Sequence, residues 1–363
     1  MLVNMRYPLK TILRSAVLAG MFGLLLGGIA VVIYGRTGGQ ELAQRVAVPR
    51  PAIIAHRGAS YFAPEETDPA YLLAREMGVD YLELDLQRTK DGVLIAFHDD
   101  DLRRTTNIAE RFPGREMDGV DKFTYAELQS LDAGSWFNKR FPDRARASFK
   151  NARILRLEEV INIAGGGLHT PGLYIETKSA HRFPGLEKQL VEILTARGWI
   201  TALDNGVSES LATRRARVPA RVIFQSFEPD SLALLKKLAP QVPAVLLIDE
   251  AMMRKEGWNA LLGRAKQLGV GIGTWGFRWS RDSGWSIKDA PNRYLMDWPW
   301  YTAQAHKAGL LVHPWTIDDR WEMWMIYLSG ADGFFTNRLD LALDFYGRVD
   351  HIDLKPIWER IGY

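Results

Sequence analysis

Cysteine is absent from the 363-residue chain. This absence excludes disulfide bonds, thiolate metal sites, a cysteine nucleophile and a lipid-modified cysteine anchor. An excess of one charge is also missing, because 46 Lys and Arg stand against 43 Asp and Glu. That balance gives no support for a nucleic-acid partner. The chain also lacks internal repeats and low-complexity tracts, and 47% of it is apolar, so we expect a globular body with a substantial core.

Long hydrophobic runs are scarce, but one lies near the amino terminus. Residues 16–34 carry no charge over 19 positions, about the length of a helix that crosses a bilayer core. Three basic residues precede the run and only one follows it closely, which predicts a cytoplasmic amino terminus and an exported body. These residues are Arg6, Lys10 and Arg14 before the run, and Arg36 after it.

A cleaved signal peptide and a buried core helix are the alternatives for this run. It is longer than the apolar part of a usual signal peptide, and nothing upstream of it would bury a core helix. The sequence therefore favours a transmembrane signal anchor over residues 16–34. This anchor predicts a membrane-bound protein whose large carboxyl-terminal body lies on the periplasmic or extracellular side.

The rest of the chain divides by composition. We predict a cytoplasmic segment over residues 1–15 and a linker rich in Gly, Pro and polar residues over 35–51. A single large domain follows over residues 52–350, and a short tail covers 351–363. Inside the domain, residues 100–172 interrupt the regular pattern but contain too few apolar residues for a core of their own. We interpret them as an insertion that lies over the mouth of the domain.

Short apolar, β-branched runs alternate with amphipathic segments through the large domain. Nine runs have the length of strands, and their composition indicates burial on both faces of a sheet. This alternation predicts a parallel sheet covered by helices, and the number of units favours an α/β fold of the (β/α)8 TIM-barrel type. The runs are residues 52–58, 81–87, 93–99, 173–178, 221–227, 244–249, 270–275, 310–317 and 332–337.

Nine runs are one too many for eight positions in a barrel. The second and third are joined only by RTKDG, which is too short for the crossover that two parallel strands require. One of these two is therefore a hairpin arm outside the barrel. The sequence leaves open which one, and it places the insertion after the third run.

Ionisable side chains gather at the ends of these runs, where TIM-barrel active sites form. Glu83 and Asp85 are two residues apart on one strand and face the same side, and Glu176 lies on the fourth run. Three inward carboxylates this close cannot all remain bare anions, so protons or a cation must neutralise them. Oxygen ligands without cysteine suit Ca²⁺ or Mg²⁺.

Two histidines and two cations lie at the same strand ends. His56 and His98 have the side chain best suited to proton transfer near neutral pH. Arg57 and Lys178 carry the positive charge that a phosphate group requires. A divalent cation, two acid/base groups and phosphate-binding cations together predict metal-assisted cleavage of a phosphodiester.

Longer motifs extend these single residues into a family pattern. The stretches HRGAS, APEET, GVDYLELDLQRTKDGVLIAFHDDDLRRTTN, LYIETKS, QSFEPDSLALLK, HPWTIDD and ADGFFTNRLDLAL occur in this order over residues 52–345. With them the chain resembles the glycerophosphodiester phosphodiesterase family. The resemblance implies a TIM-barrel hydrolase that takes a small glycerophosphodiester and releases glycerol phosphate and an alcohol.

The resemblance also implies a role for each motif residue and one divalent cation, Ca²⁺ or Mg²⁺, as cofactor. The implied roles are Glu83, Asp85 and Glu176 as metal ligands; His56 and His98 as general acid and base; Arg57 and Lys178 as phosphate-binding cations; Glu65 as a residue that orients the set; and Trp315 as the wall for the glycerol group.

Some features depart from the family pattern or lie outside it. Glu66 stands where the family usually has Asn, so its carboxylate strengthens metal binding, repels the substrate phosphate or faces solvent. His181 follows the ETKS motif, and we interpret it as a surface side chain. Five tryptophans between Trp275 and Trp300 either contact a membrane interface or cap the barrel core.

Two other functions fit the same residues. A wider mouth would give a phosphodiesterase that acts on intact phospholipid at the membrane surface. An anchored protein that binds phosphodiesters without turnover is the second alternative. The presence of every implied ligand and both histidines favours an enzyme.

Overall fold

The computed structural model describes residues 38–201, 220–276, 296 and 298–363. The predicted cytoplasmic segment, the predicted anchor at 16–34, and Trp279 and Trp285 therefore lie outside the described residues. In the part of the chain that is described, no helix is long and apolar enough to cross a membrane.

All nine predicted runs form strands. They are β1 (Ala52–Ala55), β2 (Tyr81–Arg88), β3 (Leu94–Ala96), β4 (Gly172–Thr177), β5 (Val222–Ser226), β6 (Ala244–Ile248), β7 (Gly271–Thr274), β8 (Leu311–Val312) and β9 (Gly333–Thr336). Eight of them lie side by side in the order β8-β7-β6-β5-β4-β2-β1-β9 and pair in parallel. Strand β3 pairs with β2 outside this order and runs antiparallel to it. The hairpin arm is therefore the third run.

Backbone hydrogen bonds join the two ends of this sheet. The N–H of Asp332 donates to the carbonyl of Val312 at 2.9 Å, and the N–H of Phe335 donates to the carbonyl of Pro314 at 3.0 Å. The N–H of Ile317 donates back to the carbonyl of Phe335 at 2.8 Å. These bonds connect β9 to the chain at and after β8, and the TIM-barrel prediction is confirmed.

Helices cover the outside of the barrel. They are α1 (38–46), α2 (Asp68–Met77), α3 (Ile108–Arg111), α4 (Tyr125–Leu128), α5 (Ser135–Arg140), α6 (Leu157–Gly165), α7 (Leu186–Ala196), α8 (Pro229–Leu238), α9 (Glu250–Glu256), α10 (Trp258–Leu268), α11 (Pro299–Ala308), α12 (Arg320–Ser329), α13 (Leu339–Phe345) and α14 (Leu354–Ile361). Local signals set several of their ends. Asp319 and Glu322 form a capping box that starts α12, and Gly330, at a φ of 83°, ends it in the left-handed region.

The predicted insertion at 100–172 contains one of the barrel's own helices. Helix α6 packs against α2 and β4, the position of the barrel helix between β2 and β4. The segments before α6 form short helices, and Thr124 and Glu127 make the capping box at the start of α4. Their aromatic side chains Phe123, Phe137 and Phe149 are fully buried and join the main core. The segment is therefore continuous with the barrel domain.

Both flanks of the large domain pack against it. Within the predicted linker, α1 buries Leu42 and Ala43 against the barrel interior, beside Tyr81 and Tyr174. Within the predicted tail, α14 buries Trp358 against Phe149, with the ring centroids 5.7 Å apart. The described residues thus form one body from α1 to α14.

A buried carboxylate stabilises the amino end of the barrel where β8 and β9 meet. Asp332 is fully buried, and Arg50 Nε donates to it at 2.6 Å. His306 Nε2 and the N–H of Val312 both lie 2.8 Å from its other oxygen. Because Arg50 precedes β1, this cluster ties the first strand to the closing seam.

Candidate active site

Two neighbouring strands bring three carboxylates together at the carboxyl end of the barrel. Asp85 of β2 lies opposite Glu176 of β4, and Glu83 lies two residues earlier on β2, so all three face the interior. One carboxylate oxygen of each lies within 4.8 Å of the other two, and all three side chains are buried. The predicted metal ligands therefore form one cluster.

The cluster is electrostatically strained when only protons neutralise it. Burial, reinforced by the charge of Asp85, raises the pKa of Glu176 to about 8. Burial and the same neighbouring charge raise the pKa of Glu83 well above its ordinary value. Burial also opposes ionisation of Asp85, but Lys178 and the nearby histidines and arginine outweigh it, so the pKa of Asp85 is lowered. Burial and mutual repulsion thus oppose ionisation of Glu83 and Glu176, while the neighbouring positive charges favour the ionised form of Asp85.

Arg57 and Lys178 border this cluster. The Arg57 N–H donates to Glu83 at 2.8 Å, and its Nε lies 3.4 Å from Asp85. Lys178 Nζ lies 3.3 Å from Glu176 and 3.5 Å from Asp85. Both cations therefore lie beside the ligand carboxylates, where a phosphate bound at the cluster would meet them.

The donor set fits a hard divalent cation. Asp85 Oδ2 is buried and has no hydrogen-bond partner, because the nearby Arg57 Nε lacks the geometry to donate to it. Glu83 is held by the Arg57 N–H and by Gln225 Nε2, which donates at 3.1 Å. Buried carboxylate oxygens, one of them without a partner, are the ligands that Ca²⁺ and Mg²⁺ prefer.

His56 follows β1 and is held in one tautomer. Asn337 Nδ2 donates to Asp318 Oδ2 at 2.7 Å, so its Oδ1 faces His56 Nδ1, 2.9 Å away. Nδ1 must then carry the proton, which leaves Nε2 as an acceptor. Burial and the Arg57 charge lower the pKa of His56 to about 3. His56 is therefore neutral at pH 7, with the lone pair of Nε2 available as an acceptor.

His98 belongs to a second hydrogen-bond network at the same cavity. Its Nδ1 lies 2.6 Å from Asp99, a carboxylate that only accepts, so Nδ1 carries a proton. Arg104 donates to Asp99 at 2.5 and 2.9 Å and to both oxygens of Glu65 at 2.7 Å. Glu65 accepts from Arg57 at 2.9 Å as well. Glu65 thus connects Arg57 to the Arg104–Asp99–His98 network through hydrogen bonds.

Aromatic and apolar side chains form the other wall. The Trp315 ring packs edge-to-face against Trp275 at 4.8 Å and against Phe227 at 5.6 Å. The cavity between this wall and the carboxylates has a volume of about 50 Å³. It is lined by His56, Arg57, Glu83, Asp85, His98, Glu176, Lys178, Gln225, Phe227, Leu247, Trp315 and Phe335. Trp275 is half-buried in this wall, so it caps the core.

A larger open groove adjoins the cavity. It has a volume of about 670 Å³ and shares His98 and Lys178 with the smaller cavity. The remaining lining comes from the acidic and basic residues that follow β3, together with Ser179. Both charge signs are therefore available beside His98.

Two residues outside the family pattern have clear positions. Glu66 is buried and accepts a 2.7 Å hydrogen bond from the N–H of Asp85, so the interpretation that it faces solvent is wrong. Burial and the Asp85 charge raise its pKa well above the ordinary value. His181 is exposed and its Nδ1 pairs with Glu228 at 2.9 Å, as expected for a surface side chain.

The structure adds residues that sequence reasoning did not select. Asn337, Asp318 and Ser60 position His56, while Asp99 and Arg104 position His98. Arg104 and Asn337 lie inside motifs that the sequence displays, RRTTN and ADGFFTN. These motifs were the available signal, but the sequence does not show that Arg104 meets Glu65 or that Asn337 meets His56, because these partners are 39 and 281 residues apart.

Comparisons with known proteins identify the family of the chain. The sequence profile of the glycerophosphoryl diester phosphodiesterase family matches residues 56–341. A glycerophosphodiester phosphodiesterase of Bacillus subtilis is 34% identical over 288 residues, which cover 79% of this chain and 84% of the relative. One from Caldanaerobacter subterraneus is 30% identical over 285 residues, with 78% and 93% covered.

A solved structure shares the fold. The crystal structure of a glycerophosphodiester phosphodiesterase from Agrobacterium tumefaciens aligns with a TM-score of 0.53 and 25% identity, over 80% of this chain and 98% of that one. The profile match covers most of the chain, and the aligned relatives are phosphodiesterases along nearly their whole length. This chain belongs to the glycerophosphodiester phosphodiesterase family of enzymes.

Proposed function

We propose that the chain hydrolyses glycerophosphodiesters to glycerol phosphate and an alcohol, with one divalent cation and a histidine acid/base pair. The observation that carries the proposal is the buried cluster of three carboxylates, flanked by two cations and by histidines with fixed tautomers. Family membership supports the reaction class, and the geometry supports the roles of individual residues.

Glu83, Asp85 and Glu176 would hold the cation. A bound Ca²⁺ or Mg²⁺ supplies Lewis-acid polarisation of a phosphate oxygen and lowers the pKa of a coordinated hydroxyl group or water. Arg57 and Lys178 border the carboxylates, so they bind and orient the remaining phosphate oxygens through charge-assisted hydrogen bonds.

His56 serves as the base in this proposal. It is neutral, its Nε2 is an acceptor, and it lines the small cavity beside the carboxylates. There Nε2 removes the proton from the attacking oxygen. Asn337 keeps the proton on Nδ1 and thereby keeps Nε2 available throughout the step.

His98 serves as the acid. It lines both the small cavity and the large groove, so a leaving alcohol that extends into the groove passes it. The acid step requires a proton on Nε2 as well as on Nδ1, and because Asp99 accepts from Nδ1, the Nε2–H is directed away from that carboxylate and can be given to the leaving oxygen. The glycerol part then lies in the small cavity against Trp315, and the variable alcohol lies among the acidic and basic side chains of the groove.

The first test is product release by the full-length chain in detergent. Glycerophosphocholine and glycerophosphoethanolamine are incubated with protein after chelation, and then with Ca²⁺ or Mg²⁺ restored. We expect glycerol phosphate release to vanish with chelator and to return with one cation. Glu83→Gln should abolish the recovery, whereas Glu228→Gln, which alters a carboxylate outside the cluster, should retain it.

Release that is unaffected by chelator would contradict the cation. Phosphatidylcholine in mixed micelles forms a further arm of the assay. Turnover of intact lipid with none of the deacylated diester would favour the membrane-surface phospholipid phosphodiesterase. Binding of both diesters by folded protein without turnover would favour the non-catalytic alternative.

The membrane location remains a separate proposal. Its support is the uncharged run at residues 16–34 and the basic residues before it. Extraction of cell membranes with alkaline carbonate should leave the full-length chain in the pellet, and external protease should digest the barrel in spheroplasts. Recovery of the chain in the carbonate supernatant would contradict an anchor.

A further inference from the structure

Helix α12 has an apolar face toward solvent. Its inward face buries Met323 and Ile326, as a barrel helix requires. Its outward face carries Trp321, Trp324 and Leu328, at spacings of three and four residues, and these are 55%, 50% and 44% exposed. A helix on the outside of a soluble barrel usually carries polar residues at these positions. The outward stripe is therefore a feature that the barrel itself does not explain.

The neighbouring helix α11 extends this surface. It packs beside α12, and at its start Trp298 and Trp300 are 49% and 59% exposed. Both helices follow barrel strands, so both begin at the mouth of the barrel. The four tryptophans, on two helices that pack side by side, expose roughly 500 Å² of aromatic surface in all. Exposed apolar surface of this extent often marks interaction sites on proteins. We call Trp298, Trp300, Trp321, Trp324 and Leu328 the tryptophan face.

The position of α1 shows which partner this face meets. A Cβ placed on Gly38 would lie 3.2 Å from the Cβ of His306, so the described chain begins beside the far end of α11. The uncharged run ends at Tyr34, and four residues span at most about 14 Å. Any membrane entered by residues 16–34 therefore lies within about 14 Å of the carboxyl end of α11, the helix that packs beside α12.

The residue types distinguish lipid from the other occupants. Tryptophan prefers the headgroup region of a bilayer, whereas a surface for a packed transmembrane helix is usually built from small residues. Exposed Lys307 and Arg45 lie at the amino end of the barrel, with Arg45 within 4.0 Å of a Cβ placed on Gly309, and they suit anionic headgroups. We infer that the tryptophan face rests in the interface of a lipid bilayer, with α11 and α12 lying along the membrane surface.

This inference concerns a binding surface and not the reaction, so its test uses no turnover. Because the chain has no cysteine, one introduced cysteine carries a bimane label at a single position. Leu328→Cys places the label in the tryptophan face. Leu234→Cys is the matched control, since Leu234 is a 39% exposed leucine on α8, which follows a strand three positions away in the barrel.

Each labelled full-length chain is reconstituted in vesicles of phosphatidylcholine and phosphatidylglycerol. Doxyl-labelled phosphatidylcholine quenches bimane from within the bilayer, and iodide quenches it from water. We expect lipid quenching at position 328 to exceed that at 234 by at least about threefold, with the reverse order for iodide. Replacing Trp300 and Trp321 with Gln should reduce the lipid quenching at 328 by about half.

Two results would overturn the inference. Strong iodide quenching at position 328 would mean that the face remains in water, whether or not the chain is anchored. Protection from both quenchers would mean that protein covers the face, either a second copy or another segment of this chain. Carbonate extraction of the same vesicles reports on the anchor separately, so loss of anchoring and loss of face contact give different results.

Discussion

At the amino end of the barrel, the buried Asp332 carboxylate is surrounded by donors, whereas at the carboxyl end three buried carboxylates surround one another. Burial would raise the pKa of Asp332, but hydrogen bonds and charge from His306 and Arg50 outweigh it, so the pKa lies below its ordinary value. At the mouth, burial and a neighbouring carboxylate raise the pKa of Glu176 to about 8. The surroundings thus stabilise the ionised form of a buried carboxyl group at the amino end of the barrel and destabilise it at the carboxyl end.

The difference shows what each end contributes. A buried carboxylate whose hydrogen bonds are all made stabilises the fold and leaves nothing for a ligand. A buried carboxylate with an oxygen that lacks a partner, such as Asp85, lowers the stability of the free protein and raises its affinity for a cation. Changes at the two ends should therefore have effects of different kinds, and the following predictions test that separation.

The largest effect is expected on turnover at the mouth. His56→Ala should lower kcat by about 10²- to 10⁴-fold, because the proposed base is removed while the barrel core is unchanged. His181→Ala is the matched control, since His181 is exposed and outside the site. Steady-state kinetics on glycerophosphocholine measures both. Comparable rates for the two variants would remove His56 from the mechanism.

The next effect is on stability at the amino end. Asp332→Ala should lower the free energy of unfolding by about 3 to 5 kcal/mol, because it leaves Arg50 and His306 buried without their partner. Turnover per folded molecule should stay near that of wild type. Asp350→Ala, at an exposed position, serves as control in the same urea titrations. A loss below about 1 kcal/mol would show that the junction of β8 and β9 tolerates the absence of the Asp332 carboxylate.

Acid should weaken the same end selectively. Since the folded pKa of Asp332 is lowered, its ionised form adds stability above its ordinary pKa of 3.8, and this contribution is lost as pH falls through the folded value. The stability gap between wild type and Asp332→Asn should therefore be constant from pH 7 to 5 and narrow below about pH 4. Urea titrations at pH 7, 5 and 3 measure it. A difference in unfolding free energy that becomes larger in acid would contradict a lowered pKa for Asp332.

The smallest effect is a stability change of the opposite sign at the mouth. Glu176→Gln replaces a strained carboxyl with a neutral amide, so in chelator the free energy of unfolding should be unchanged or higher by up to about 1 kcal/mol. Addition of Ca²⁺ or Mg²⁺ should stabilise wild type and not the variant. Thermal unfolding with and without cation measures both. A loss of about 2 kcal/mol in chelator would show that the cluster stabilises the fold even without a cation.

The sequence predicts the barrel and the ligand cluster well because both depend on short-range patterns. Strands are readable as apolar runs, and a spacing of two places Glu83 and Asp85 on one face. The sequence does not show which of β2 and β3 is the barrel strand, because the two runs are similar. The parallel pairing of β2 with β4 decides it. Contacts such as Arg104 with Glu65, or His56 with Asn337, depend on how loops from distant parts of the chain meet.

The packed ends of the domain were also hidden from sequence reasoning. Helix α1 buries only Leu42 and Ala43, and so few apolar residues among polar ones resemble a linker. The sequence of α12 is misleading in the other direction. It is apolar on both faces, and such a helix is usually buried on all sides. Only the position of α12 on the outside of the barrel shows that half of this apolar surface is free.

The pairing of the first strand with the last has a consequence for biosynthesis. Strand β1 lies between β2 and β9, and His56 is held by an asparagine 281 residues later. A nascent polypeptide therefore presents β1 with one edge unpaired, and its histidine lacks a fixed tautomer, until the ribosome has made β9 and Asn337. The site assembles only after β9 has been made, so chains truncated before Asn337 should be inert toward the diesters of the compartment in which they are made.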